Sequence, residues 1–262
     1  MLPVALTIAG SDCSAGAGLQ ADLKTFQHFR CYGLTAVTCV VAETPAVVRS
    51  VHPIPPAILQ DQLELLLDSY PVAAIKTGML FSKPHVVAVS EILERHRRVP
   101  LVVDPVMVAS TGDPLLEDDA VEAYRERLLP RATLITPNLD EAGVLAGQPI
   151  GDESALQEAA RALAEEFGTA VLLKGGHLES ASCSDLLVDR ATATWFRSSR
   201  IGTRASHGTG CTLSAAITAR LALGSPLAAA VMAAKAYLEE TLRQSLRFGD
   251  LHHLNQGTHL GD

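Results

Sequence analysis

The sequence predicts an α/β fold with a central, mostly parallel β-sheet and helices on both faces. Short apolar runs alternate with longer amphipathic segments along most of the chain. The short runs are of strand length, rich in β-branched residues and apolar on both faces, as buried parallel strands are. One stretch, residues 182–199, sets two strand-like runs side by side with no helix between them, which marks an antiparallel hairpin at one edge.

The elements follow in order. Strands are predicted at VALTIAG, LTAVTCVVA, AAIKTGM, PLVVDPVM, TLITPN, AVLLKGG, SDLLVD and TATWFRS. Helical patterns run over Ala21–Phe29, Pro56–Ser69, His85–His96, Asp118–Leu129, Leu139–Ala146, Glu153–Phe167 and Thr212–Leu223. Thr136-Pro137-Asn138 leads into one helix and Asp152-Glu153-Ser154 opens another. No linker, low-complexity segment or internal repeat interrupts residues 1–262, so one domain is expected.

With 262 residues, 48% of them hydrophobic, the chain can bury one sizeable core. The formal net charge is −8 and no basic stretch could track a phosphate backbone, which argues against nucleic acid as a partner. No uninterrupted apolar run approaches the roughly 18 residues of a membrane span, and MLPVALTIAG lacks the basic start of a signal peptide. Cysteines 13, 31, 39, 183 and 211 are scattered, odd in number and without a CxxC pair. That pattern fits a reducing cytoplasm rather than a disulfide framework or zinc site. His252 and His253 read as a solvated tail.

Ligands of parallel sheets bind beyond the carboxyl ends of the strands. The residues there are Gly10-Ser11-Asp12, Glu43, Gly78-Met79, Asp104, Asn138 and Lys174-Gly175-Gly176. In ASHGTGC, residues 205–211, two glycines open a helix of small residues. Free N–H groups and the helix dipole make such a turn fit for an anion, although a plain tight turn has the same composition. A thiol there, Cys211, is expected to have a lowered pKa. The glycine-rich stretch 9–26 is neither a P-loop nor a GxGxxG turn and reads as a substrate-side loop or lid. Lys174 ends an apolar strand, where its ammonium can meet a phosphate as a point charge. Asn138 and Glu141, three apart on one helix face, are suited either to hold magnesium through water or to cap the helix.

Together these motifs resemble the ribokinase-like superfamily, and within it the hydroxymethylpyrimidine/phosphomethylpyrimidine kinases of thiamin synthesis. LTIAGSDxSxGAGxQADLKTF, KTGML, VVDPVM, TGDPLL, LITPNxxEA, LLKGGH and HGTGCTLSAAI occur in that order from about residue 4 to about residue 240. The resemblance implies an ATP- and magnesium-dependent kinase, cytoplasmic and homodimeric, acting on an aminopyrimidine at its hydroxymethyl oxygen and then at the resulting phosphate. It makes Gly208, Thr209, Gly210 and Cys211 the anion hole, Cys211 standing where the sugar kinases mostly carry an aspartate base. Lys174 and Asn138 would meet ATP, Asp104 and Glu141 would organise magnesium, Gly10, Glu43, Met79 and Val106 would surround the pyrimidine, and Asp22 would lie near that pocket. Vitamin B6 kinases share the scaffold. Glu43 favours the pyrimidine, because a carboxylate accepts from an exocyclic amine that pyridoxal lacks. The chain departs from the pattern at Ala15, where glycine is usual, at Thr44-Pro45, and at Ala205-Ser206.

Overall fold

The structure, a computed structural model, describes residues 2–107, 118–176, 182–190 and 192–257. TGDPLL, at 111–116, and His177 lie outside the described residues. The strands are β1 (Val4–Asp12), β2 (Tyr32–Thr44), β3 (Val47–Pro53), β4 (Val72–Thr77), β5 (Leu101–Val103), β6 (Leu134–Ile135), β7 (Ala170–Lys174), β8 (Ser182–Asp189), β9 (Thr192–Ser199), β10 (Leu246–Phe248) and β11 (Leu251–His253). The helices are α1 (Gly18–His28), α2 (Pro56–Ser69), α3 (Lys83–Glu94), α4 (Asp118–Ala123), α5 (Leu139–Ala146), α6 (Glu153–Phe167), α7 (Thr209–Ala222) and α8 (Leu227–Arg243).

β1 to β9 form one sheet in the order β3-β2-β1-β4-β5-β6-β7-β8-β9. The pairs from β2 through β7 are parallel, and antiparallel strands extend both edges. Successive side chains of a strand face opposite sides, and both sides are buried. Leu101 and Val103 join the core formed with α2 to α6, while Val102 between them joins α7 and α8. Val171 and Leu173 divide from Ala170 and Leu172 in the same way. α1 packs with α7 through Phe26, Ala215 and Ala219. The small residues predicted for α7 are what allow this close layer: Ala215, Ala216 and Ala219 are fully buried. No helix among the described residues is long and apolar enough to cross a membrane.

Several boundaries differ from the sequence reading. β5 and β6 are shorter than PLVVDPVM and TLITPN, because Pro105 and Pro137 cannot donate to the ladder. β3 was not expected; its burial alternates and it lies at an edge. It joins β2 through Pro45-Ala46, with Thr44 paired to Val47, so the unusual Thr44-Pro45 sits in a tight hairpin turn. α8 was also unexpected, since its alanine-rich start offers little polar contrast to mark a period. The segment after it is no solvated tail: β10 and β11 pair, and His253 is half-buried near Gly16.

Candidate active site

A cavity of about 660 Å³ opens at the carboxyl ends of the parallel strands. Gly10, Glu43, Met79, Asp104, Val106, Asn138, Glu141, Lys174, Gly208, Thr209, Gly210 and Cys211 all line it. Asp22 is not among the lining residues, although its charge acts on Cys211, which is. Asp22 is fully buried, held by the hydroxyl of Thr7 at 2.6 Å and by Lys76, whose Nζ lies 2.8 Å from both carboxylate oxygens. Burial favours the neutral forms of this pair, but the contact keeps Lys76 charged, its pKa above the usual lysine value.

On one side of the cavity, the end of β7 runs beside the start of α5. The Lys174 N–H donates to the Pro137 carbonyl at 2.9 Å, which brings the lysine against Asn138 and Glu141. Lys174 Nζ lies 3.1 Å from Asp104 Oδ1 and 4.0 Å from Glu141 Oε2. Thr136 and Ser214 donate to the Asp104 oxygens at 3.0 and 3.1 Å. Burial works against the charged form of Asp104, and Lys174 and Lys76 outweigh it, so its pKa is lowered and it is ionised. Glu141 behaves oppositely. Burial pushes its carboxyl up to about 7 against the pull of Lys174, and the charge of Asp104 adds to the rise. Two crowded carboxylates, one of them reluctant to ionise, fit a hard divalent cation, which takes oxygen donors. Asn138 is less free than expected. Its Oδ1 accepts from the Glu141 N–H and Glu141 Oε2 accepts from the Asn138 N–H, each at 2.8 Å, a complete capping box.

The turn before α7 stands beside these groups. Gly208 caps the helix with φ +82°, and a Cβ there would fall 2.0 Å from the Gly16 carbonyl, so only glycine fits. The Thr209 N–H donates back to Ser206. Among the described residues nothing accepts from the N–H groups of Gly210 and Cys211. A Cβ on Gly210 would meet Lys174 Nζ at 3.3 Å and Asp104 Oδ2 at 3.5 Å, so the free donors, the lysine and the carboxylate share one small volume. Unpaired donors at a helix start are suited to an anion. The expectation of a lowered Cys211 pKa is overturned. Burial raises the thiol to about 11, more than Lys76 and the Gly18 N–H lower it. On that balance the thiol is neutral near pH 7.

Glu43 also lines the cavity. A bulge between Ala42 and Glu43 and the following hairpin turn fix its backbone, which also exchanges hydrogen bonds with the Cys13 thiol. Its carboxylate has no hydrogen-bond donor among the described residues. Burial and then the charge of Asp12 raise its pKa, His207 opposing. Asp12, Glu43 and His207 bring their polar atoms within 4.8 Å of one another. Asp12 is not spare for a metal, however. Its Oδ2 accepts from Ser14 Oγ and from the N–H groups of Gly16 and Ala17, and His207 Nε2 lies 3.0 Å away. It holds the glycine-rich loop in place. Within that loop Ala15 takes φ +59°, a left-handed conformation that explains why glycine is usual there.

Sequence reasoning missed Asp12 and His207 as a pair, and it missed the wall supplied by α8, where Lys235, Leu238 and Leu242 line the cavity. Lys235 is tied to Asp185 of β8, which also receives the Gly175 N–H. Pro226, just ahead of the alanine-rich run, was the available signal for α8.

Comparison with known proteins gives this geometry a class. The Staphylococcus aureus pyridoxal kinase solved with AMP-PCP and pyridoxal superposes with a TM-score of 0.90 at 36% identity, covering 98% of this chain and 94% of that one. Fold and cavity together define a phosphotransferase of the ribokinase-like type. A family model described as phosphomethylpyrimidine kinase matches residues 12–256, and the chain belongs to that family. It is 43% identical to the hydroxymethylpyrimidine/phosphomethylpyrimidine kinase of Rhizobium meliloti across 98% of each chain. It is 44% identical to the thiamine biosynthesis bifunctional protein of Geobacter sulfurreducens, covering 94% of this chain but only 50% of that longer protein.

Proposed function

We propose that residues 1–262 act as one kinase domain. It transfers the γ-phosphoryl group of ATP to 4-amino-5-hydroxymethyl-2-methylpyrimidine and then to the monophosphate so formed. The observation that carries this reading is one cavity lined both by Gly210 and Cys211, whose N–H groups have no acceptor among the described residues, and by Glu43, whose carboxylate has no hydrogen-bond donor among them. The N–H groups bind what is transferred and Glu43 binds the acceptor.

Gly210 and Cys211 N–H groups orient the transferring phosphoryl group, and Lys174 supplies positive charge beside it. Such transfer depends on positioning and charge stabilisation. Asp104 and Glu141 would hold magnesium, which supplies charge neutralisation on the phosphates when bound. Glu43 accepts from the exocyclic amine of the pyrimidine, and its raised pKa lets its carboxyl share a proton with the adjacent ring nitrogen. The neutral thiol of Cys211 explains the second step. An aspartate there would repel an incoming phosphate monoester, and a thiol with a pKa near 11 does not. The resemblance supports a cytoplasmic homodimer.

A second reading, phosphorylation of pyridoxal, is favoured by the likeness to a kinase solved with pyridoxal. ATP consumption with hydroxymethylpyrimidine, its monophosphate and pyridoxal separates the two. Turnover of both pyrimidines and not of pyridoxal supports the proposal, and Glu43→Gln then admits pyridoxal if Glu43 is the selector. Preference of the wild type for pyridoxal contradicts it.

A further inference from the structure

The end of the chain reaches the active site from behind. After β11 the backbone N–H of Asn255 donates to the Thr241 carbonyl on α8, and Leu254 and Gln256 are 3% and 2% exposed. A polar side chain so thoroughly buried needs partners. Gln256 Nε2 donates to the Gly16 carbonyl at 2.8 Å and to Thr212 Oγ1 at 3.0 Å. Thr212 Oγ1 in turn donates to the Gly208 carbonyl at 2.8 Å. The Tyr237 hydroxyl of α8 donates to the main-chain carbonyl of Gln256.

These bonds join two segments far apart in sequence. Gly16 belongs to the glycine-rich loop whose Ala17 and Gly18 line the cavity. Gly208 and Thr212 belong to the turn and first helical residues that present the free N–H groups. The two backbones already touch at Gly16 and Gly208. The Asp12–His207 contact links them near the cavity, and the carboxamide of Gln256 links them from the protein interior. Gln256 itself does not line the cavity. Among the described residues its Oε1 is buried without a hydrogen-bond partner.

We propose that Gln256 is a positioning residue for phosphoryl transfer. Its amide sets the spacing between the glycine-rich loop and the phosphate-holding turn. The inference rests on reading residues 208–211 as that turn.

The test uses the full chain with ATP and hydroxymethylpyrimidine, comparing Gln256→Leu, Thr212→Val, the double variant and Gly210→Val. A displaced turn loses rate rather than affinity, so Gln256→Leu should lower kcat about tenfold with the KM for ATP changed less than about twofold. The loss should persist at a temperature well below the melting midpoint. Because both side chains act through one bridge, the double variant should be little worse than the worse single one. A full kcat for folded Gln256→Leu, a loss that vanishes on cooling, or additive losses would each overturn the inference. Gly210→Val tests the underlying reading separately. If it leaves turnover intact, the turn is not the phosphate site and both ideas fall. If it abolishes turnover while Gln256→Leu does not, only the positioning role falls.

Discussion

Two lysine–carboxylate pairs stand in the same sheet and have opposite fates. Lys76, on β4, meets Asp22 with no exposure on either side chain. Lys174, at the end of β7, meets Asp104 with 16% of its side chain exposed. The first pair is closed. Both Asp22 oxygens contact the ammonium, and Thr7 donates to one of them. The second is open, with Glu141 4.0 Å away, free N–H groups beside it and a cavity in front. The chemistry of the partners is the same. Position along the strand differs: Lys76 lies before the strand ends and Lys174 lies at the end, where ligands of parallel sheets bind. A buried ion pair alone is therefore no mark of a catalytic site. Access and incomplete pairing are.

Breaking the closed pair should have the largest effect, and it should be on stability. Lys76→Met leaves Asp22 buried and uncompensated, which costs about 3–5 kcal/mol. In a chain of this size that lowers Tm by roughly 10 °C in a thermal melt. Lys76→Met with Asp22→Leu should recover part of the loss, because the uncompensated charge is gone.

Lys174→Met should reverse the pattern. Loss of a cation beside the transferring group lowers kcat by about 10²–10³-fold, the size seen when one preorganised donor is removed. Tm should move by only a few degrees, since Asp104 keeps its bonds from Thr136 and Ser214. A normal kcat would remove Lys174 from the site.

Asp12 gives a smaller effect that depends on pH. Burial raises its pKa, but hydrogen bonds from His207, Ala17 and Ser14 outweigh burial and hold the carboxyl at about 2. A depressed carboxylate stabilises the fold above its unfolded value, near 4, and loses that contribution as pH falls towards 2. Asp12→Asn should therefore cost about 1–2 kcal/mol at neutral pH, and its stability curve should converge on the wild type's between about pH 4 and 2. Urea melts across that range would show it.

The mildest test concerns Cys211. A thiol at about 11 alkylates slowly near pH 7, and its rate should climb about tenfold per pH unit until about pH 10. A plateau below about pH 8 would mean a thiolate and would restore the lowered pKa that the helix terminus alone suggests.

The sheet was legible because buried parallel strands leave continuous apolar runs and helices leave periodic ones. β3 was not, since an edge strand with alternating exposure gives only a weak pattern. α8 was hidden by alanine, which fits many surroundings. Within the site, strand-end residues such as Asp104 and Lys174 could be read directly from where the apolar runs stop. Asp12 and His207 could not be paired, because they are 195 residues apart in sequence. The setting of Asp22 was hidden for a related reason. Only the fold shows that Lys76 and Thr7 close around it.

The most direct test of the account is a ³¹P NMR time course of purified protein with ATP and hydroxymethylpyrimidine. A monophosphate signal should rise and then give way to a diphosphate, with Lys174→Met nearly silent in both steps. No phosphorylated pyrimidine from the wild type, with pyridoxal phosphate formed readily under the same conditions, would contradict it.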